Sequence, residues 1–136
     1  MKIKGVQLDV ARQKETIDFI KDFIDFIKNY GYNTLFLYIE GRIKTKSFPF
    51  MSESESYSPE EMKEVVGYAE KNKIDVIPII SNFGHTEQFL QFPQMQYISE
   101  LREGIKGRFS YFPMTVCPSL KETYDFFEEY FSEIVK

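Results

Sequence analysis

Four side chains able to give, take or hold a proton or a polar ligand close three apolar runs of this chain. Val6-Gln7-Leu8-Asp9-Val10-Ala11-Arg12 brings Asp9 and Arg12, Leu35-Phe36-Leu37-Tyr38-Ile39-Glu40 brings Glu40, and Val76 to Ile80 runs on through Ser81-Asn82-Phe83-Gly84 to His85. Three such runs lying as parallel strands of one sheet would gather these groups on the rim at the strands' carboxyl ends, where α/β folds place their chemistry. Two carboxylates, a guanidinium and an imidazole on one rim suit proton transfer or the binding of a polar ligand. A second chemistry uses the same atoms. Asp9, Glu40, His85 and Glu87 could converge as oxygen and nitrogen ligands of a divalent cation in a metal-dependent barrel enzyme. Against this stand the single histidine and the lack of a tight ligand motif such as His-Glu-x-x-His.

Each residue also has a purely structural reading. Asp9 and Arg12 can form a local ion pair or cap the next helix. Glu40 can be a solvated loop carboxylate or the partner of Arg42, and His85 a hydrogen-bonded structural histidine.

The elements that must position these groups follow from the hydrophobic period, which switches between two and about 3.6 along the chain. Lys2 to Val10 alternates as a strand, with Val6, Leu8 and Val10 on one face and Gln7 and Asp9 on the other. A helix is expected over about Lys14 to Asn29, with Ile17, Ile20, Ile24 and Ile27 as its buried stripe and Phe19, Phe23 and Phe26 widening it. Gly31 is placed to end it. A second strand follows over about Asn33 to Glu40. The next helix opens on Ser58-Pro59-Glu60-Glu61, where Ser58 caps, Pro59 fits the first helical position and Glu61 completes a capping box. It presents Met62, Val65, Val66 and Ala69 and ends near Asn72. A third strand is expected over about Asp75 to Ile80, then a long irregular stretch to Cys117-Pro118. A capping box of Ser119 with Glu122 opens a third helix whose apolar side is Tyr124, Phe127, Phe131 and Ile134.

Connection lengths add a direction. Helix-to-strand links are Gly31-Tyr32 and Asn72-Lys73-Ile74, whereas the strand-to-helix links run from Gly41 to Tyr57 and from Ser81 to Pro118. Long loops confined to the carboxyl ends of parallel strands mark the active face of a (β/α) barrel, because the opposite face only has to turn the chain round. A closed barrel takes roughly 250 residues, and this chain of 136 supplies three β-α units. The expected fold is therefore α/β, with residues 1–136 forming the amino-terminal three parallel β-α units of a TIM-type (β/α)8 barrel that is incomplete in this chain. An open sheet edge of this kind invites self-association.

Composition excludes several function classes. With 43% hydrophobic and 28% charged residues the chain can bury a core and is neither disordered nor collagenous. A net charge of -4 without any block of basic residues argues against nucleic acid as partner. No apolar run approaches the roughly 18 residues that cross a bilayer. No signal-peptide pattern precedes the first strand, so a cytoplasmic location is the default expectation. The single Cys117 forms no internal disulfide and no cysteine metal cluster.

The residues also carry a family likeness. Lys4-Gly5-Val6-Gln7-Leu8-Asp9-Val10-Ala11-Arg12 resembles the first barrel strand of glycoside hydrolase family 20, the β-N-acetylhexosaminidases, whose pattern there is Arg-Gly-x-x-Leu-Asp-x-x-Arg. Phe83-Gly84-His85-Thr86-Glu87 resembles that family's Gly-His strand end, especially Phe-Gly-His-x-Glu of the hexosaminidase D-like branch. Thr34 to Glu40, Phe48-Pro49-Phe50, Tyr57 to Glu61 and Val116-Cys117-Pro118-Ser119 are similar to the same branch in order and spacing.

The resemblance implies a retaining glycosidase that removes terminal β-linked N-acetylhexosamine, uses the substrate's own acetamide oxygen as nucleophile, and needs neither cofactor nor metal. In the family an Asp orients the acetamide and an adjacent Glu protonates the leaving oxygen, the pair closing the fourth strand. No Asp-Glu pair occurs in these residues, so the chain alone is expected to be inactive. By the same likeness Lys4, Asp9 and Glu40 border the sugar hydroxyls, and His85 supports the general acid. The chain departs from the pattern in two places. Lys4 stands where members carry Arg, offering a point charge for a planar fork, and Ser81 stands where many carry Asp. Tyr38, Phe83, Tyr97 and Tyr111 fall in or beside the long loops, where rings can stack on a pyranose; tryptophan is absent. A non-catalytic carbohydrate-binding or subunit-contact fragment is the remaining alternative.

Overall fold

The computed structural model describes residues 2–51, 55–104 and 114–135. In it the three strands β1 (Gly5–Asp9), β2 (Thr34–Tyr38) and β3 (Asp75–Ile79) form one parallel sheet in the order β1-β2-β3. Gln7 is level with Phe36 and Ile77, and Asp9 with Tyr38 and Ile79, so the carboxyl ends of all three strands coincide. The chain divides into two compact units, Met1–Ile43 with Glu55–Ile80 and Lys44–Ser54 with Ser81–Lys136.

The first unit holds the sheet and two helices. Helix α1 (Ile17–Asn29) starts later than the expected Lys14 because Thr16 is its cap, with Oγ1 accepting the Phe19 N–H at 3.1 Å. Helix α2 (Pro59–Lys71) opens on the expected capping box: the Glu61 N–H donates to Ser58 Oγ at 3.1 Å, and the Ser58 N–H to Glu61 Oε2 at 2.7 Å. Both helices end in the same turn. After α1 the Tyr32 N–H reaches the Ile27 carbonyl and Gly31 takes φ +75°; after α2 the Ile74 N–H reaches the Ala69 carbonyl and Lys73 takes φ +60°.

The core of this unit contains Ile20, Ile24 and Ile27 of α1, Leu35 and Leu37 of β2, and Val65 and Ala69 of α2. Each of the isoleucine, leucine and valine side chains contributes about 1.5–3 kcal/mol by leaving water. The buried stripe is narrower than expected. Phe19, Phe26 and Val66 are exposed, because α1 and α2 meet instead through polar side chains flanking the aliphatic ones. Lys21 pairs with Glu64, Tyr68 OH donates to Asp25 at 2.7 Å, and Lys28 donates to Asn72 at 2.8 Å. Gly5 is required by close approach: a Cβ there would lie 2.2 Å from Cε2 of Phe36, whose ring lies over it.

The second unit is built around aromatic rings. The stretch after β3 is more ordered than its sequence suggests, containing the short helix α3 (Glu87–Leu90) and 3₁₀ turns at Pro93–Ile98 and Arg102–Gly104. Elements of three to six residues are too short to show a hydrophobic period. Helix α4 (Lys121–Ile134) begins with Leu120 as cap and without the expected Ser119 capping box. The Cys117 carbonyl accepts from both the Leu120 N–H and the Thr123 hydroxyl, which closes Pro118-Ser119 into a turn and starts the helix beyond it. The buried side of α4 is accordingly Thr123, Phe126, Phe127 and Tyr130, and the expected Tyr124 is exposed. Phe126 packs against Phe48 at 5.0 Å and Phe89 at 5.3 Å between ring centres, with Tyr130 5.2 Å from Phe89. Glu133 ties the far end of α4 down by accepting the Lys46 and Ser47 N–H groups at 2.7 and 2.9 Å. No helix among the described residues is long and apolar enough to cross a membrane.

Candidate functional site

The carboxyl end of the sheet gathers charge where β1 and β2 stop. Asp9 is the last residue of β1, and its Oδ1 accepts the N–H groups of Ala11 at 2.9 Å and Arg12 at 3.3 Å. That turn folds Arg12 back beside the sheet, with Nη1 3.8 Å from Asp9 Oδ2. Nη1 also donates to Glu40 Oε1. The same Oε1 accepts the Tyr38 hydroxyl at 3.0 Å, and the Arg12 guanidinium carbon stands 5.2 Å from the centre of the Tyr38 ring.

Glu40 is held in an unfavourable state. Its residue is 8% exposed and its backbone lies in the left-handed region at φ +48°, a conformation costing about 1–2 kcal/mol for a side chain with a Cβ. The two donors on Oε1 compensate for burying its charge. The guanidinium is correspondingly raised above its ordinary value, first by the Tyr38 hydroxyl and next by Glu40, and so stays charged throughout the working pH range. Arg42 completes the frame: Nε donates to the Ala11 carbonyl and Nη1 to Glu55 Oε2 at 3.0 Å. Glu40 is thus partnered by Arg12, from the end of β1, where the structural reading of the sequence offered a solvated loop carboxylate or a pairing with Arg42.

The remaining expected residues lie apart from this cluster or in the other unit. Lys4 sits at the opposite, amino end of β1, exposed, with its N–H donating to Asn33 Oδ1 at 2.8 Å. His85 belongs to the second unit. It is exposed, with φ +55°, and follows Gly84, which bridges to Thr115. Thr86 beside it is buried, its N–H and hydroxyl both donating to the Met114 carbonyl at 3.0 Å. Phe83 and Tyr97 are exposed rings of the same unit, with Phe83 5.9 Å from Tyr124; Tyr111 lies outside the described residues.

Among the described residues no three side chains of His, Cys, Asp or Glu come together as a cation site. What the cluster offers is a polar rim. One carboxylate oxygen is fixed by two donors, the other takes no hydrogen bond from a described residue, and a charged guanidinium stands beside it. Such an arrangement orients and binds hydroxyl groups. A groove of about 350 Å³ on the outer surface of α1 and α2, lined by Lys21, Lys63, Glu64, Gly67, Tyr68 and Lys71, is not part of it.

Sequence reasoning missed the linking role of Tyr38. It places the ring beside a loop as a stacking surface, whereas the hydroxyl engages Glu40. The signal was present in the strand parity: Tyr38 and Glu40 are two residues apart, and Tyr38 is level with Asp9.

The chain as a whole is similar to known proteins of one family. The model of the glycosyl hydrolase family 20 catalytic domain matches residues 2–136. Hexosaminidase D of Bos taurus is 24% identical over 119 residues, covering 87% of this chain and 32% of its own length. The chitobiase of Flavobacterium johnsoniae superposes with a TM-score of 0.82 at 25% identity, over 98% of this chain and 21% of that one. The exo-β-N-acetylglucosaminidase of Vibrio harveyi, solved in complex with N-acetylglucosamine, has the same fold at 22% identity, with a TM-score of 0.83 over 97% of this chain and 25% of that one. The chain thus spans a third or less of these proteins, and its parallel β-α units correspond to part of a TIM-type barrel.

Proposed function

The chain belongs to glycosyl hydrolase family 20, matching its catalytic domain along residues 2–136, and on that footing we propose that it serves as part of an enzyme removing terminal β-linked N-acetylhexosamine from glycans. The reaction is retaining and substrate-assisted: the acetamide oxygen of the sugar attacks its own anomeric carbon while a carboxylic acid protonates the leaving oxygen. The acid and the carboxylate that orients the acetamide lie outside these 136 residues. This chain contributes part of the sugar-binding rim. Asp9 and Glu40 face the ring hydroxyls, and His85 supports the general acid; Lys4, before the amino end of β1, takes no part in this rim.

The observation that carries the reading is the convergence of Asp9, Arg12, Tyr38 and Glu40 at the carboxyl ends of two parallel strands, in a chain matched along its length by this family. The test is hydrolysis of 4-nitrophenyl N-acetyl-β-D-glucosaminide by the protein encoded by the gene that carries these residues. Release of 4-nitrophenol with retained configuration is expected, with Glu40→Gln raising KM and the 136-residue chain by itself inactive. Hydrolysis by the isolated chain would place the catalytic groups inside it and overturn the assignment.

A further inference from the structure

We infer that Tyr38 is the positioning residue of this rim: its hydroxyl and ring hold the Glu40 carboxylate and the Arg12 guanidinium in one arrangement, leaving Glu40 Oε2 as the acceptor for a sugar hydroxyl. This rests on the reading of the rim as a sugar site.

The two donors on Glu40 Oε1 are unequal. Arg12 reaches it from a loop, through a long side chain that is 55% exposed. Tyr38 reaches it from β2, the central strand, whose backbone is paired with β1 on one side and β3 on the other. Its own carbonyl accepts the Val10 N–H at 3.0 Å, which fixes the point where the chain leaves β1 for Arg12. A hydroxyl mounted on a doubly paired strand is the more constrained donor, and the long, half-exposed Arg12 side chain the less constrained one.

The ring does a second job with the same atoms. It lies 5.2 Å from the Arg12 guanidinium carbon, so one residue touches both members of the ion pair. Phenylalanine would keep that ring contact and the packing while removing the bond to Glu40. Without the hydroxyl, a carboxylate on a left-handed backbone would be located only by the long, half-exposed Arg12 side chain, and Oε2 would no longer be held in one direction.

The experiment compares Tyr38→Phe, Glu40→Gln and the double variant in the enzyme that carries these residues. A hydroxyl contact made alike in ground and transition states shows in KM. Tyr38→Phe is expected to raise KM for the aryl N-acetylglucosaminide about tenfold, the fold-change of one charge-assisted hydrogen bond, with kcat within about twofold. Glu40→Gln is expected to do the same, and the double variant to add little, because one acts through the other. An unchanged KM in Tyr38→Phe, or full additivity, would overturn the inference. A parent protein that does not hydrolyse the substrate would refute the sugar-site reading instead. The Arg12 side-chain N–H resonances of the 136-residue chain would then decide the positioning role. Resolved signals that merge in Tyr38→Phe support it, and signals that stay resolved refute it.

Discussion

Replacing Glu40 separates the cost of its backbone from the worth of its carboxylate, and the structure sets both magnitudes. Glu40→Ala removes the acceptor of the Tyr38 hydroxyl, a bond to a charged group worth about 1.5 kcal/mol. It also removes the pairing with Arg12, worth about 0.5–1 kcal/mol because the arginine side chain is 55% exposed and its charge is screened. Alanine keeps a Cβ at φ +48°, so the expected loss is about 2–2.5 kcal/mol. Glu40→Gly loses the same contacts but relieves about 1 kcal/mol of left-handed strain, so its loss is about 1–1.5 kcal/mol. Glycine is therefore expected to be the milder substitution by about 1 kcal/mol. Urea unfolding followed by circular dichroism measures the difference directly, provided the slope is common to the variants. Equal midpoints for the two variants, or alanine the more stable, would refute the claim that this residue is held in a strained conformation by its partners.

Other consequences can be checked in the same way. Lys73 occupies the left-handed turn position after α2 that Gly31 occupies after α1, so Lys73→Gly is expected to stabilise by about 0.5–1 kcal/mol and Gly31→Ala to destabilise by about 1 kcal/mol, read from urea midpoints. Gly5→Ala would drive a Cβ into the Phe36 ring and cost about 1–3 kcal/mol by overpacking, with Phe36→Leu restoring most of the loss in a double-variant cycle. Glu133 is held below the ordinary carboxylate value by the Ser47 side chain first and by the Lys46 and Ser47 amides next, against an opposing push from burial. A depressed folded value stabilises the fold above the unfolded value and loses that contribution as pH falls through the folded one. Wild type should therefore exceed Glu133→Gln in stability near neutral pH, and the gap should close on acidification below about 4.5; thermal melts across that range decide, and a gap independent of pH would be contrary.

What was legible in the sequence follows the length and regularity of each signal. Three apolar runs separated by amphipathic stretches gave the parallel order, and Ser58-Pro59-Glu60-Glu61 gave the start of α2, because a capping box is local chemistry that tertiary contacts seldom override. The start of α4 was misplaced for the opposite reason. Ser119 and Glu122 have the right spacing, but the Cys117 carbonyl is claimed by Thr123 and Leu120, contacts that only the folded turn creates. With aromatic residues at 124, 126, 127, 130 and 131, more than one helical face satisfies the period, and the later start selected Phe126 and Tyr130.

At the site, the convergence of Asp9, Arg12 and Glu40 was readable from the ends of the apolar runs, since level strands bring their last residues together. The partner of Glu40 was not. Sequence proximity favours Arg42, two residues away, whereas the turn capped by Asp9 brings Arg12 across from the neighbouring strand. Left-handed conformations at Glu40, Lys73 and His85 were likewise invisible, because none of these residue types announces a positive φ as glycine does.

The most direct test of the central claim, that the ends of β1 and β2 form a sugar-binding rim, is an amide chemical-shift titration of the isotopically labelled 136-residue chain with N-acetylglucosamine, using glycerol as control. The account predicts that the largest movements fall on Ala11, Arg12, Ile39 and Glu40, with none from glycerol. An unmoved rim, or movements confined to the lysine-lined groove between α1 and α2, would contradict it.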